Sequence, residues 1–232
     1  MKTFGLPSSG RCGSKVASRN HYGPFESEYV VPANPGTERQ GRARGDFGEL
    51  SIAWGTLLTE RQRLAWIVAG AKVERRDSLG NLYTLTGQAL FEGINSARAC
   101  IGREMLLDPP EPAGFLPSPV AKLFMRPAGG RPRLELRVGE PVSGDIMVFG
   151  QEPCGQGRMR PRRGIYLGLV PSGEGSLRDI SELYLAVHRA PRAGEKVFIW
   201  TRCQVNGWEG PDRVLSALLG AEAGTAGRGQ GD

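Results

Sequence analysis

Few side chains in this sequence are able to move protons or attack a carbonyl. There are two histidines, His21 and His188, and four cysteines, Cys12, Cys100, Cys154 and Cys203. Nucleophilic catalysis needs a Ser, Cys or Thr beside a base. His21 falls in a Gly- and Ser-rich stretch, and His188, followed by Arg189-Ala190-Pro191, reads as a surface turn. Cys203 lies in a strand-like run and reads as an inert packing thiol. No two cysteines form a CxxC element, so a structural metal site is not expected. Cys154 and Cys203 can fall on neighbouring strands, which leaves open whether they pair. The carboxylates Glu135, Glu140, Asp145, Asp179 and Glu182 alternate with apolar residues, as solvent-facing strand positions do. Gly155-Gln156-Gly157 lacks the third glycine and following helix of a dinucleotide fingerprint. These residues argue against an enzyme, and no cofactor or small-molecule substrate is expected.

Recognition chemistry is better represented. Thirty basic residues face 24 acidic ones, for a net charge of +6. Residues 1–25 hold Lys2, Arg11, Lys15 and Arg19 with no acid, and Tyr22 stands among them. A second patch reads Arg158-Met159-Arg160-Pro161-Arg162-Arg163. Arginine pairs carboxylates bidentately, so this loop suits a protein partner. The same patches can meet a phosphate backbone, which keeps nucleic acid open as a partner. Trp208, flanked by Gly207 and Gly210, is a candidate stacking residue.

These side chains must be held by elements the composition allows. Glycine (34) and proline (17) make up 51 of 232 residues, or 22%. Ordinary chains carry about 12%, and low-complexity ones begin near 25–30%. Residues 1–33 read as an extended basic arm, with strand-like alternation over 25–31. Residues 34–106 read as a helical domain. Thr37 with Gln40 and Thr59 with Gln62 have the form of capping boxes. Phe47, Leu50, Trp54 and Leu57 make one apolar stripe, and Leu64, Ile67, Val68 and Ala71 another. The two helices would form an αα-hairpin with Trp54 and Trp66 in its seam. A turn at 77–81 separates two short strands. A third helix opens at Thr86, carries Leu90, Phe91, Ile94, Ala97 and Ile101, and stops before Gly102.

Five prolines over 107–119 read as a semi-rigid linker between domains. Period-two runs then follow at 134–138, 145–149, 165–170, 183–187, 197–205 and 214–218. Six or seven strands in about 100 residues make a β-sandwich over 120–219. Residues 220–232 read as a disordered tail. The fold class expected is α+β, with arm, helical domain and sandwich in that order.

The segment Ala193–Pro211 resembles the late strands of a fibronectin type III domain: a Gly turn, an aromatic-bearing strand, Asn206-Gly207 and Gly210-Pro211. The resemblance implies a fibronectin type III-like antiparallel sandwich in which Phe198 or Trp200 faces the core. The typical early-strand Trp is missing, and Phe149 or Met147 would take its place. Residues 1–102, with their basic arm, Asn-Pro-x-Thr-x-x-Gln helix start and paired Trp helices, resemble small bacteriophage and prophage proteins.

That second resemblance implies a virion component and supplies no catalytic residues. The expected function is therefore structural: a capsid-decoration, head–tail or tail protein that docks by its arm onto other copies or other structural proteins. A nucleic-acid-binding protein using the arm and the Arg loop, or a surface adhesin or binding module, are the alternatives. The N-terminus lacks the roughly 7–15-residue apolar stretch of a secretory signal, and no apolar run approaches ~18 residues. Cytoplasmic synthesis, no membrane span and a place in a virion are the expectation.

Overall fold

Three strands stand where the sequence suggests an extended arm: β1 (Gly10–Cys12), β2 (Lys15–Asn20) and β3 (Gly23–Glu28), paired antiparallel in the order β1-β2-β3. The computed structural model describes residues 9–31, 33–128, 131–142, 144–162, 164–172 and 175–220. Lys2, Arg163 and the tail from 221 onward lie outside the described residues. Local turn chemistry closes both hairpins. Gly13, at φ +60°, turns β1 into β2. Asn20 Oδ1 accepts from the Tyr22 amide at 2.9 Å at the other tip, and Gly23 follows at φ +114°. The arm is thus a small sheet, because short-range turns suffice to bring its strands together.

The described residues divide into two compact units. One comprises those up to Ser96 with Glu104–Pro110, the other Ala97–Arg103 with those from Glu111 onward. In the first unit, Thr37 and Thr59 set where α1 (Glu38–Thr56) and α2 (Glu60–Gly70) begin. At each, the hydroxyl accepts from the amide three residues on, and the Gln side chain reaches back to the cap amide. Two early amides that a helix start leaves open are satisfied this way. The short strands β4 (Glu74–Arg76) and β5 (Leu82–Thr84) flank the expected turn. Thr86 Oγ1 then accepts from the Ala89 amide at 3.1 Å to open α3 (Gly87–Cys100), and Gly102 at φ +70° follows its end.

The helical core is aromatic. Trp54 and Trp66 both pack on Phe91 of α3, with centroids 5.6 and 5.4 Å apart and the second pair edge-to-face. Trp66 is fully buried, and its indole N–H donates to the Leu107 carbonyl at 2.8 Å. Leu50, Ala53 and Leu58 complete the buried face. This corrects both expected stripes. Phe47, Leu57, Leu64, Ile67 and Val68 are each at least half exposed. Both helices carry apolar residues on more than one side, and contact with Phe91 decides which side is inward. α2 meets α3 at backbone distance, since a Cβ on Gly87 would lie 2.6 Å from the Ile67 amide nitrogen.

The Pro-rich stretch is anchored at its ends. Asn95 exchanges two hydrogen bonds with the Leu106 backbone in the first unit. Phe115 packs against the core of the second unit, where its ring fills the space a side chain on Gly210 would need.

The second unit is built of strands. In chain order they are β6 (Val120–Ala128), β7 (Arg131–Val138), β8 (Asp145–Gly150), β9 (Cys154–Gly155), β10 (Ile165–Leu169) and β11 (Leu177–Asp179). A short helix α4 (Ser181–Leu185) precedes β12 (Glu195–Val205), β13 (Trp208–Glu209) and β14 (Arg213–Leu218). One sheet has the order β11-β7-β6. The other runs β10-β8-β12, with β9, β13 and β14 also on β12. Both sheets supply side chains to one core, including Leu123, Leu134, Leu136, Ile146, Val148, Val197 and Ile199.

Three expectations change here. Residues 183–187, expected as strand, sit on and after α4. Ile180 and Tyr184 are fully buried, and the Tyr184 hydroxyl donates to the Gln151 carbonyl at 2.8 Å. One helical turn places these two residues, four apart, on one side, where a strand would also have put them. Glu135 is buried rather than solvent-facing and pairs with Arg133 at 3.3 Å. Of the two aromatics expected to face the core, Phe198 is buried and Trp200 only half-buried, and both lie on the side of β12 away from Val197, Ile199 and Cys203, which join the core shared by the two sheets. Strand alternation puts the aromatics on the opposite face.

Candidate functional site

His188 is buried, not at the surface. Its ring lies 5.1 Å from that of Tyr184, and its Nε2 has no hydrogen-bond partner among the described residues. Cys154 and Cys203 are unpaired thiols. Both belong to the β12 neighbourhood, but Cys154 lies opposite Lys196, seven residues along the strand from Cys203. Among the described residues, no group of three His, Cys, Asp or Glu could hold a metal ion.

The basic residues of the N-terminal sheet stand among acids. Lys15 lies opposite Glu28 in the register and binds Glu26 at 3.3 Å. Alternation puts Lys15, Arg19, Glu26 and Glu28 on one face. On the other, the Arg11 guanidinium stacks 3.8 Å from the Tyr29 ring centroid. Tyr22 projects at the hairpin tip, 72% exposed, beside the His21 ring. Cross-strand register thus gives Lys15 an acidic partner, while Arg19 lies opposite Pro24.

The Arg158–Arg162 loop is pinned through its backbone. Lys196 Nζ donates to the Arg158 carbonyl at 3.1 Å, and the Arg162 amide donates to buried Gln151 Oε1 at 2.6 Å. The side chains of Arg160 and Arg162 are exposed, and Arg158 is half-buried. Trp208 is half-buried too, with its indole N–H lacking a partner among the described residues. Asn206 and Gly207, at φ +49° and +90°, form the two-residue turn between β12 and β13. Positive φ at both positions gives the hairpin a twist that matches its strands.

No protein-family model, curated protein or solved structure matches this chain. The site therefore stands on its own geometry.

The richest cluster lies on the outer face of the larger sheet, and the sequence reading did not single it out. Tyr166 is opposite Phe149, Phe149 opposite Trp200, and Trp200 opposite Val214, making one row across β10, β8, β12 and β14. The Phe149 and Tyr166 rings are 5.4 Å apart. Burial pushes the Tyr166 phenol up to about 12, with Cys100 and Asp145 adding to the shift, so it is a neutral hydroxyl. Beside the row, Arg202 makes a bidentate pair with Asp212 at 2.7 and 3.1 Å and reaches Glu209 at 2.9 Å. Asp212 first, then Glu209, holds its pKa above the ordinary arginine value. Phe149, Gly164, Trp200, Arg202 and Asp212 line a half-open cavity of about 200 Å³. The period-two pattern marks these residues as alternating, but only cross-strand register aligns them.

Proposed function

We propose that this chain is a non-enzymatic assembly component that docks onto other subunits through its N-terminal unit. The observation that carries this reading is the β1–β3 sheet, in which no residue is buried. Fixing a residue's backbone costs about 1–2 kcal/mol, and small sheets need a buried apolar face to be stable. Val16 and Phe25 share one face by register, while Tyr22, Val30 and Val31 are more than 70% exposed. β1 and β3 also leave their outer edges unpaired among the described residues, as strand addition requires. The side of α2 away from α3 adds Leu64 and Val68, spaced i and i+4 and each at least half exposed. Contiguous apolar surface of this kind marks protein contacts.

The partner class that fits is another structural subunit or a second copy. The resemblance of residues 1–102 to small phage and prophage proteins points to a phage-like virion. The second unit suits a rigid, fibronectin type III-like body. Its longer strands divide as β6, β7 and β11 against β8, β10, β12 and β14, in keeping with such sandwiches. Glu26 and Glu28 on the face of Lys15 and Arg19 weigh against nucleic acid as the main partner.

Deleting residues 2–31 tests the proposal. The full chain should sediment with a large particle from cells that make it, and should do so after nuclease digestion. The truncated chain should stay in the light fraction with its circular dichroism otherwise intact. A truncated chain that still sediments with the particle, or a full chain that never does, would sink it.

A further inference from the structure

We infer that the outer face of the larger sheet is a binding site for a neutral sugar ring, separate from any assembly role. The cavity of about 200 Å³ falls below the roughly 300–1,000 Å³ of drug-sized pockets, so it suits one ring rather than an extended cofactor. Its walls are the Phe149 and Trp200 rings, the Gly164 backbone and the Arg202–Asp212 pair. Gly164 is required there: a Cβ would come within 2.8 Å of the Trp200 ring. The backbone at 164 therefore supports the indole, which gives the cavity a firm aromatic wall.

Charge selects the ligand class. The lining pairs one guanidinium with one carboxylate, and Glu209 outside it takes a further Arg202 N–H, so the arginine is already neutralised and offers no free positive charge to phosphate or sulfate. A cation is disfavoured as well, because the Arg202 guanidinium already sits 5.4 Å from the Phe149 ring centroid. A neutral, amphipathic ring remains. A pyranose has an apolar C–H face for an aromatic wall and hydroxyls around its edge. Arg202 uses three of its five N–H donors on Asp212 and Glu209, leaving two, and the carboxylate oxygens keep spare lone pairs. Side-chain exposures of 29% for Arg202, 33% for Glu209 and 43% for Asp212 leave this rim open to a ligand. The rim can thus both donate to and accept from hydroxyls, while its geometry is already fixed before binding.

The intact chain is titrated with β-1,4-linked glucose, N-acetylglucosamine and mannose hexaoses, following tryptophan fluorescence, with inorganic phosphate and choline as comparison ligands. At least one hexaose should saturate with a Kd below about 1 mM, and neither phosphate nor choline should. Trp200→Ala and Asp212→Asn should each weaken binding roughly tenfold or more, and Trp208→Phe should leave it within about twofold. Because Trp200→Ala removes a large side chain, amide chemical shifts of the unsubstituted chain provide an independent readout. On adding the hexaose, shifts should concentrate at Gly164, Trp200 and Arg202. The inference is overturned if no hexaose saturates, if phosphate or choline binds instead, or if the shifts lie elsewhere. A protein-binding role for this face would give the first of these results.

Discussion

Glu195 shows how a single carboxylate in this protein ties stability to pH. Both its oxygens accept from Arg189 at 2.7 Å, and the Arg192 amide adds a third bond at 2.8 Å. The Arg189 side chain, then the Arg192 amide, holds the carboxyl down at about 2 against an ordinary 4.5. A depressed folded-state pKa contributes stability above the unfolded value and loses it as pH falls toward the folded one. Thermal melts should therefore fall between pH 4.5 and about 2 in the native chain. Glu195→Gln should lower the melting temperature near neutrality and flatten that decline. An unchanged acid limb in the variant would show that this carboxylate is not the sensor. The hydrogen bonds responsible span residues 189–195, yet the spacing of Arg189 and Glu195 does not reveal them: they depend on the turn at Gly194, φ +80°.

Glycines make the opposite statement at neighbouring elements. Gly41, Gly45, Gly48 and Gly55 fall on one face of α1 at 100° per residue, and a Cβ on any of them would meet nothing within 4 Å. Each costs the helix about 0.5–1 kcal/mol relative to alanine. Gly48→Ala should accordingly raise unfolding free energy by about that amount in urea melts. Gly87→Ala should lower it, by roughly 2 kcal/mol or more, because the new Cβ would strike Ile67 backbone atoms at 2.6 and 2.7 Å. Equal effects at the two sites would contradict the described packing of α2 on α3. The capping boxes were legible from two residues each. Which helix face is buried was not, since that depends on where Phe91 arrives.

Over the whole molecule, the second unit recruits residues from well before its strands. Gln204, 2% exposed, donates to the Ala97 carbonyl at 2.6 Å, and Arg103 pairs with Asp145 at 3.3 Å. A chain beginning at Gly93 should hold this unit at full stability. One beginning at Glu111 leaves the Gln204 carboxamide without its acceptor, and should be weaker by about 1–3 kcal/mol in denaturant melts. Identical midpoints would mean that Ala97–Arg103 contributes nothing to the fold. The Pro-rich stretch suggested a boundary by composition, but the contacts of Leu106, Leu107 and Phe115 assign its two ends. No helix among the described residues is long and apolar enough to cross a membrane.

What the residues decide alone is local. Thr37-x-x-Gln40, Thr59-x-x-Gln62, Thr86, Asn206-Gly207 and the period-two runs other than 183–187 act through hydrogen bonds and backbone preferences a few residues long, so they read directly as helix starts, turns and strands. Distant partners decide the rest. Residues 10–28 became a sheet that sets Lys15 against Glu26 and Glu28, and His188 was carried inward beside Tyr184. Tyr166, Phe149 and Trp200 came into one row beside Arg202, though they are as many as 51 positions apart. Alternation says only that a side chain faces one side of a strand. Which strands are neighbours, and in what register, follows from packing two sheets around a common core, and that packing made the candidate sugar site.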